Sequence, residues 1–478
     1  MKKLVITHYL LFLSISFCFA QKSIVKNSND ISFVKGNIAN YANKPLFLYK
    51  CYKDTLLFID SIQTNRKGDF SFNLSTNSWK QHAGLYKIQM LQNQFFYIIH
   101  SDYEKAIEIK TVYQPDMFNN NATDSLFVLK SEENKLFYEF QALQKKLNIA
   151  DAWLLQMMRL YPLSDPFHNQ LEDEYFKRYK AMDEFVKESI VQDSSPSDKI
   201  AVAYYKPVNP DWHEPDNWRD SIIVDHYFDY FNPADSFYLH TNILTEKLEI
   251  YLKLKTNKLD GYGQPVRDEM FAATAAHEFL EKTKNSPANF EFCFNYLLKN
   301  FSKEHLDNAF LFLYDTYAKP QEGNCESSVI ISETFKEKAN KLRNVAIGSS
   351  APDFVIMDGK LNLSQLPSNN VLVLFWASWC PHCADEIPKI KAALEQSKQN
   401  IMVVAVSLDT DTKQWEQFVE ENAMANWVNI TDFKSWNGTI PKQYNVYATP
   451  SMFLLDKNKK IIAKPETTNQ LIKAIEVL

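Results

Sequence analysis

The sequence predicts a multidomain protein, with an all-β domain at the N-terminus, an all-α region in the middle and an α/β domain at the C-terminus. Three observations carry this. Residues 30 to about 113 run as short β-branched and aromatic segments split by turn signals. From about Asp124 to Asn344 apolar residues recur at three- and four-residue spacing. From Val345 onward, continuous apolar runs alternate with amphipathic stretches. A chain of 478 residues is also too long for a single core. The expected boundaries are 1–20 for a leader, 21–120 for the β domain, 121–345 for the helices and 346–478 for the α/β domain.

The leader is read from Lys2 and Lys3 ahead of an apolar stretch, Leu4 to Ala20, ending in Cys18-Phe19-Ala20-Gln21. A charged start, a short apolar core and small residues before the cut make a secretory signal. Cleavage is expected after Ala20, leaving a soluble protein in the periplasm or cell envelope. An uncleaved anchor is the alternative, although a spanning helix needs about 20 apolar residues. Phe17, where a lipoprotein signal needs a small residue before Cys18, argues against lipidation.

In the β region, ISFVKGNI, KPLFLYKCY, TLLFIDSI, DFSFNL, LYKIQM and QFFYIIH read as strands. Asn43-Lys44-Pro45, Asn65-Arg66-Lys67-Gly68-Asp69 and His82-Ala83-Gly84 separate several of them. Short strands at this spacing predict a sandwich or open barrel. In the middle region, amphipathic helices are expected over 125–148, 171–191, 241–255, 266–282, 288–300 and 303–317. The aromatic stripes Phe292, Phe294, Tyr296 and Phe310, Phe312, Tyr314 are read as core. His277-Glu278 lies on a helix, but Glu281 stands where a zinc-protease pattern needs a second histidine. Asp211, His213 and Glu214 sit beside prolines and read as solvated loop. Net charge is −6 and no basic run stands out, which excludes nucleic acid as a partner.

Six cysteines are present, and Cys18 belongs to the leader. Cys51 reads as a core thiol. Cys293 and Cys325 are either buried thiols or a bridge that sequence alone does not decide. Only Cys380 and Cys383 form a C-x-x-C pair. Val371 to Trp376 is a buried strand. Ala377-Ser378-Trp379 leads from it into Cys380-Pro381-His382-Cys383, and a helix follows from about Pro381 to Ser397. Strands are expected at 401–407, 427–430, 451–455 and 460–463, with helices at 411–422 and 468–477.

A cysteine at a helix N-terminus faces unpaired N–H groups and the positive end of the dipole, which stabilise a thiolate. Its pKa falls below the free value of about 8.5, so Cys380 is the expected nucleophile. Pro381 at the first helical position has no N–H to leave unsatisfied. The three-residue offset brings Cys383 beneath Cys380, where it can resolve a mixed disulfide. His382 between them can add positive charge. A structural zinc site would need two further Cys or His at comparable spacing, and the next ninety residues supply none. No metal or cofactor is therefore expected beyond the redox-active Cys380–Cys383 disulfide itself.

Residues 346–478 resemble the thioredoxin-like proteins of the bacterial envelope known as the ResA/TlpA type. The resemblance rests on Ala351-Pro352-Asp353-Phe354, Leu361 to Leu366, FWASWCPHC at 375–383, Glu386-Ile387-Pro388 and Ala448-Thr449-Pro450. It implies Cys380 as nucleophile, Cys383 as resolving thiol, and a cis Pro450. Trp379, Thr449 and Pro450 would face an extended substrate, and Pro388 would kink the motif helix. Two departures matter. Leu374 stands where thioredoxins proper keep a buried Asp, and Glu386 fills the place of the envelope reductases' carboxylate, so Glu386 would take the Cys383 proton through water. The Pro381-His382 dipeptide resembles that of the oxidising DsbA-type enzymes and leaves the direction of electron flow open. The β layout resembles the small all-β domain of unknown function that often precedes such domains.

Disulfide- or thiol-bearing envelope proteins are the implied partners, with a membrane electron donor or acceptor. The other reading is a redox-controlled binding or scaffold protein, which has no need of both cysteines. A peroxidase on the same fold would need a Pro-x-x-x-Thr/Ser-x-x-Cys arrangement, absent from 376–383.

Overall fold

The computed structural model describes residues 33–73, 83–101, 104–117, 125–192, 195–204, 216–256, 268–318, 331–356 and 361–478. The expected leader, the 211–214 loop and Cys325, with any bridge from it to Cys293, lie outside them. The chain divides into two compact units, one running to Tyr205 and including Leu239–Asn242, the other comprising Lys206–Tyr238 and Ile243–Leu478.

The first unit opens with seven strands: β1 (Phe33–Ala39), β2 (Pro45–Tyr52), β3 (Thr55–Gln63), β4 (Asp69–Asn73), β5 (Gly84–Gln89), β6 (Phe95–His100) and β7 (Ala106–Val112). With β8 (Phe127–Lys130) they form two four-stranded sheets, ordered β4-β1-β7-β8 and β3-β2-β5-β6. Alternate residues of both sheets meet in one core, including Val34, Ile38, Leu48, Phe72, Ile88, Phe96 and Ile109. This is the layered solution expected of half-apolar strands. Gly36 is required where β1 and β7 pair in parallel, because a Cβ there would lie 2.1 Å from the Ile109 carbonyl oxygen.

One expectation is corrected here. A helix was expected from residue 125, but Phe127–Lys130 extends and pairs with β7. Phe127 and Leu129 are exposed, so the run is an edge strand whose apolar residues merely continue the spacing of the helix after it. That helix, α1 (Glu132–Leu160), starts at Ser131, whose side chain accepts the Asn134 N–H at 2.9 Å. Asn134 bonds both backbone groups of Ile99 at 2.8 Å, fixing α1 to β6. α2 (Pro166–Gln192) and α3 (Pro196–Tyr204) complete the unit.

The second unit carries α4 (Asp216–Asp225), α5 (Ile243–Thr256), α6 (Glu269–Thr283), α7 (Pro287–Lys303), α8 (Asp307–Tyr317) and α9 (Glu333–Asn344). Phe292, Phe294, Phe310 and Tyr314 are buried, whereas Tyr296 and Phe312 are half-buried. His277 meets the Tyr317 hydroxyl at 2.6 Å, a structural contact within the bundle.

After β9 (Val355–Ile356) and β10 (Leu361–Asn362) comes the α/β portion. It contains β11 (Asn370–Trp376), α10 (Pro381–Gln396), β12 (Ile401–Ser407), α11 (Thr412–Glu421), β13 (Val428–Ile430), α12 (Thr439–Gln443), β14 (Ser451–Leu455), β15 (Ile461–Ala463) and α13 (Thr468–Glu476). The sheet order is β13-β12-β11-β14-β15, with β11 parallel to β12 and antiparallel to β14. Val371 to Trp376 are all buried, as a central strand covered on both faces requires. This thioredoxin-like portion, the β sheets before it and the helices between are the multidomain arrangement expected.

Candidate active site

β11 ends at Trp376 in the middle of the sheet and delivers Ala377-Ser378-Trp379 to the start of α10. Trp376 is buried and stacks on Phe418 with ring centroids 4.8 Å apart, which anchors that strand end. Cys380 is the N-cap of α10, with extended backbone (φ −92°, ψ 111°), and Pro381 takes the first helical position. The Cys383 N–H donates to Cys380 Sγ at 3.3 Å, and Cys380 Sγ lies 3.3 Å from the Thr449 carbonyl oxygen. The Thr449–Pro450 peptide is cis. The structure therefore gathers Cys380, Cys383, Thr449 and Pro450 in one place. Both thiols are unbridged.

The two sulfurs differ sharply. Cys380 is 5% exposed and Cys383 fully buried. Burial alone pushes the Cys380 thiol up. Hydrogen bonds from Cys383 and at Thr449, with the N–H groups of Cys383 and His382, outweigh it and hold Cys380 below the ordinary thiol value. Burial and the neighbouring Cys380 push Cys383 up to about 12. A thiolate is thus favoured at the outer sulfur and a thiol at the inner one.

Glu386 sits one helical turn beyond Cys383 and is half-buried. Its Oε1 accepts from Lys389 Nζ at 2.8 Å, and Oε2 accepts from the Thr468 N–H at 3.3 Å and from the Thr468 hydroxyl. The Lys389 and Thr468 bonds hold its carboxyl below the usual range. The carboxylate thereby caps the first turn of α13. Pro381 and His382 are exposed on the first turn of α10, and Pro388 lies inside that helix. Leu374 is wholly buried in β11.

Asp409 is a residue the sequence reading missed. Only 1% exposed, it accepts the Ser378 N–H at 3.1 Å on each oxygen, the Ser378 hydroxyl at 2.6 Å and the Ser407 hydroxyl at 2.6 Å. It clamps the turn that delivers Cys380. Its one trace in the sequence is the spacing Ser407-Leu408-Asp409 at the end of a buried strand, which does not point to Ser378. Asp353 does similar work for the segments before the motif, accepting the Ser364 N–H at 2.9 Å and the Ser364 hydroxyl at 2.8 Å.

Exposed aromatic residues neighbour the motif and the cis-proline loop in the chain. Trp379, 49% exposed, meets Trp436 edge to face at 6.2 Å, and Tyr447 is 48% exposed two residues before Thr449. Among the other cysteines, Cys51 is buried in β2 with its thiol pushed up to about 12 by burial, and burial also raises Cys293. Neither lies in the motif.

Residues 346–471 match the Redoxin family model. The chain is 31% identical over 154 residues to the thiol-disulfide oxidoreductase ResA of Geobacillus kaustophilus, covering 31% of this chain and 84% of that protein. It is 29% identical over 140 residues to the protein of the same name in Bacillus cereus, covering 28% and 79%. Among solved structures, a thioredoxin-like protein from Bacteroides caccae matches at 19% identity and a TM-score of 0.38, over 57% of this chain and 98% of that one.

Proposed function

The chain belongs to the ResA-type family of thiol-disulfide oxidoreductases, and we propose that it exchanges disulfides of exported proteins through Cys380 and Cys383, outside the cytoplasm. The observation that carries this reading is the asymmetry of the dithiol, with a depressed Cys380 at the N-cap of α10, 5% exposed, and a raised Cys383 wholly buried one turn on.

The Cys380 thiolate attacks one sulfur of a substrate disulfide, forming a mixed disulfide and releasing the other substrate sulfur as a thiolate, which takes a proton. Cys383 then gives up its proton and attacks Cys380 Sγ. The Cys380–Cys383 bond forms, the mixed bond breaks, and the second substrate thiolate leaves. Two electrons pass from the enzyme dithiol to the substrate, and the reverse sequence oxidises a substrate dithiol. Burial keeps Cys383 protonated until its turn. Glu386, whose carboxylate offers about four acceptor sites and commits three, is assigned to take that proton through water. Thr449 and Pro450 present backbone to an extended substrate beside Cys380, with Trp379 at the rim.

Residues 346–478 do this chemistry, and the regions at 21–120 and 121–345 serve docking. A membrane redox protein resets the dithiol. The exported location is supported by the Lys2–Gln21 pattern; among the described residues no helix is long and apolar enough to cross a membrane. Trapping in the native compartment tests the assignment. Cys383→Ser accumulates mixed disulfides with partner proteins, and Cys380→Ser accumulates none. Equal trapping by the two variants overturns it.

A further inference from the structure

Within the second unit, the turn between α7 and α8 reaches the loop that carries Thr449 and Pro450. His305 occupies left-handed backbone (φ 56°), and its ring stacks on Tyr447 with centroids 3.6 Å apart and planes within 10°. Two residues on, Asp307 Oδ2 accepts from Asn445 Nδ2 at 3.2 Å. Lys338 of α9 closes a triangle. Its Nζ lies 3.1 Å from Asp307 Oδ1 and donates to Asn445 Oδ1 at 3.4 Å, and the Lys338 and Asp307 side chains are largely buried. Asn445, itself in left-handed backbone (φ 52°), begins the loop. The substrate-facing strip Asn445–Pro450 is thus held at two points by residues remote in sequence.

The position of Tyr447 gives this consequence. Its ring is half open to solvent two residues before Thr449, whose carbonyl oxygen lies 3.3 Å from Cys380 Sγ, and His305 stacks on one face. Cys380 is nearly closed off, so a protein disulfide that reaches it brings flanking side chains up to the motif and the cis-proline loop, which carry the exposed rings of Trp379 and Tyr447. A small disulfide carries no flanking side chains with which to meet these rings.

We infer that His305, Asp307 and Lys338 are positioning residues that brace the Tyr447–Pro450 strip, so that the helical region sets a preference for protein disulfides flanked by aromatic or apolar residues. This rests on the dithiol chemistry proposed above. A stacked ring pair is worth about a three- to tenfold effect on an equilibrium, and here that effect falls on substrate binding.

The experiment compares two substrates with the reduced full chain. One is a cystine-bridged peptide with Phe beside each cysteine, and the other is bis(2-hydroxyethyl) disulfide. The readout is the ratio of their kcat/KM values. His305→Ala lowers this ratio about three- to tenfold, through KM for the peptide, and His305→Phe, which keeps a stacking ring, restores it to within about twofold. Asp307→Asn, which weakens the triangle without emptying it, lowers the ratio less. An unchanged ratio in His305→Ala, or a loss that His305→Phe does not restore, overturns the brace. Cys380→Ser separates the two questions, since activity of that variant on either substrate would instead overturn the dithiol reading.

Discussion

Replacing Asp409 by Ala removes one buried carboxylate and strands three donors: the Ser378 N–H, the Ser378 hydroxyl and the Ser407 hydroxyl. A hydrogen bond to a charged group contributes about 1.5–3 kcal/mol net, and an unsatisfied buried donor costs about 1–3 kcal/mol. The contributions are not additive, because the hydroxyls can rotate and water reaches the half-buried Ser378. About 3 kcal/mol of stability is the expected loss for Ala. Asn, which keeps one acceptor oxygen in the same shape, should lose about 1 kcal/mol. The functional effect follows from place. Ser378 stands two residues before Cys380, and the lowered thiol of Cys380 depends on N–H groups aimed at its sulfur by that turn. With the turn released, Cys380 moves toward an ordinary thiol of about 8.5, and its alkylation by iodoacetamide at pH 7 slows several-fold. Cys383, buried and held at about 12, does not compete. The assay is the alkylation rate of the reduced protein from pH 5 to 9, beside urea unfolding. The rate rises with pH and levels off above the Cys380 pKa, and the levelling point shifts upward in Asp409→Ala. Wild-type alkylation and a wild-type urea midpoint in that variant would refute the clamp.

Two further outcomes test the motif. Glu386→Gln slows disulfide exchange about ten- to a hundredfold near neutral pH and lowers stability by only about 0.5–1 kcal/mol, because the amide oxygen still caps α13. Equal exchange rates from pH 5 to 9 would sink its role in proton transfer. The reduction potential is expected between about −270 and −120 mV, and His382→Ala lowers it by about 10–30 mV, since the backbone N–H that supports Cys380 survives the substitution. A glutathione-equilibrium titration in which the potential holds or rises removes the imidazole from the argument.

The parts of the fold written in local pattern were legible. Strands β1 to β6 sit on the alternating runs from Phe33 to His100, and the α/β portion follows the order of its apolar strands. β8 was not legible, because Phe127-Val128-Leu129-Lys130 takes its conformation from pairing with β7 rather than from its own residues. At the site, Cys380 and Cys383 announce themselves by spacing and by the helix they open. Asp409 does not, since a lone aspartate after a strand has many uses and only the folded chain brings Ser378 to it. The contact between Asp307 and Asn445 is less visible still, because the residues lie 138 apart. The three bonds on Glu386 fall between these cases, as its place was evident and its commitment to Thr468 was not.

The parallel pairing of β1 with β7 constrains the order of assembly. Val34 finds Ile107 as its neighbour, so β1 stays incomplete on one side while β2 to β6 are made. β2, β3, β5 and β6 close into their own sheet by antiparallel neighbours, but the core they share with the other sheet cannot seal until residues 106–112 arrive. Contacts so distant in sequence are slow to form and leave strand edges open meanwhile. A ribosome that has released only the first hundred residues therefore holds a nascent chain whose β core is still unclosed.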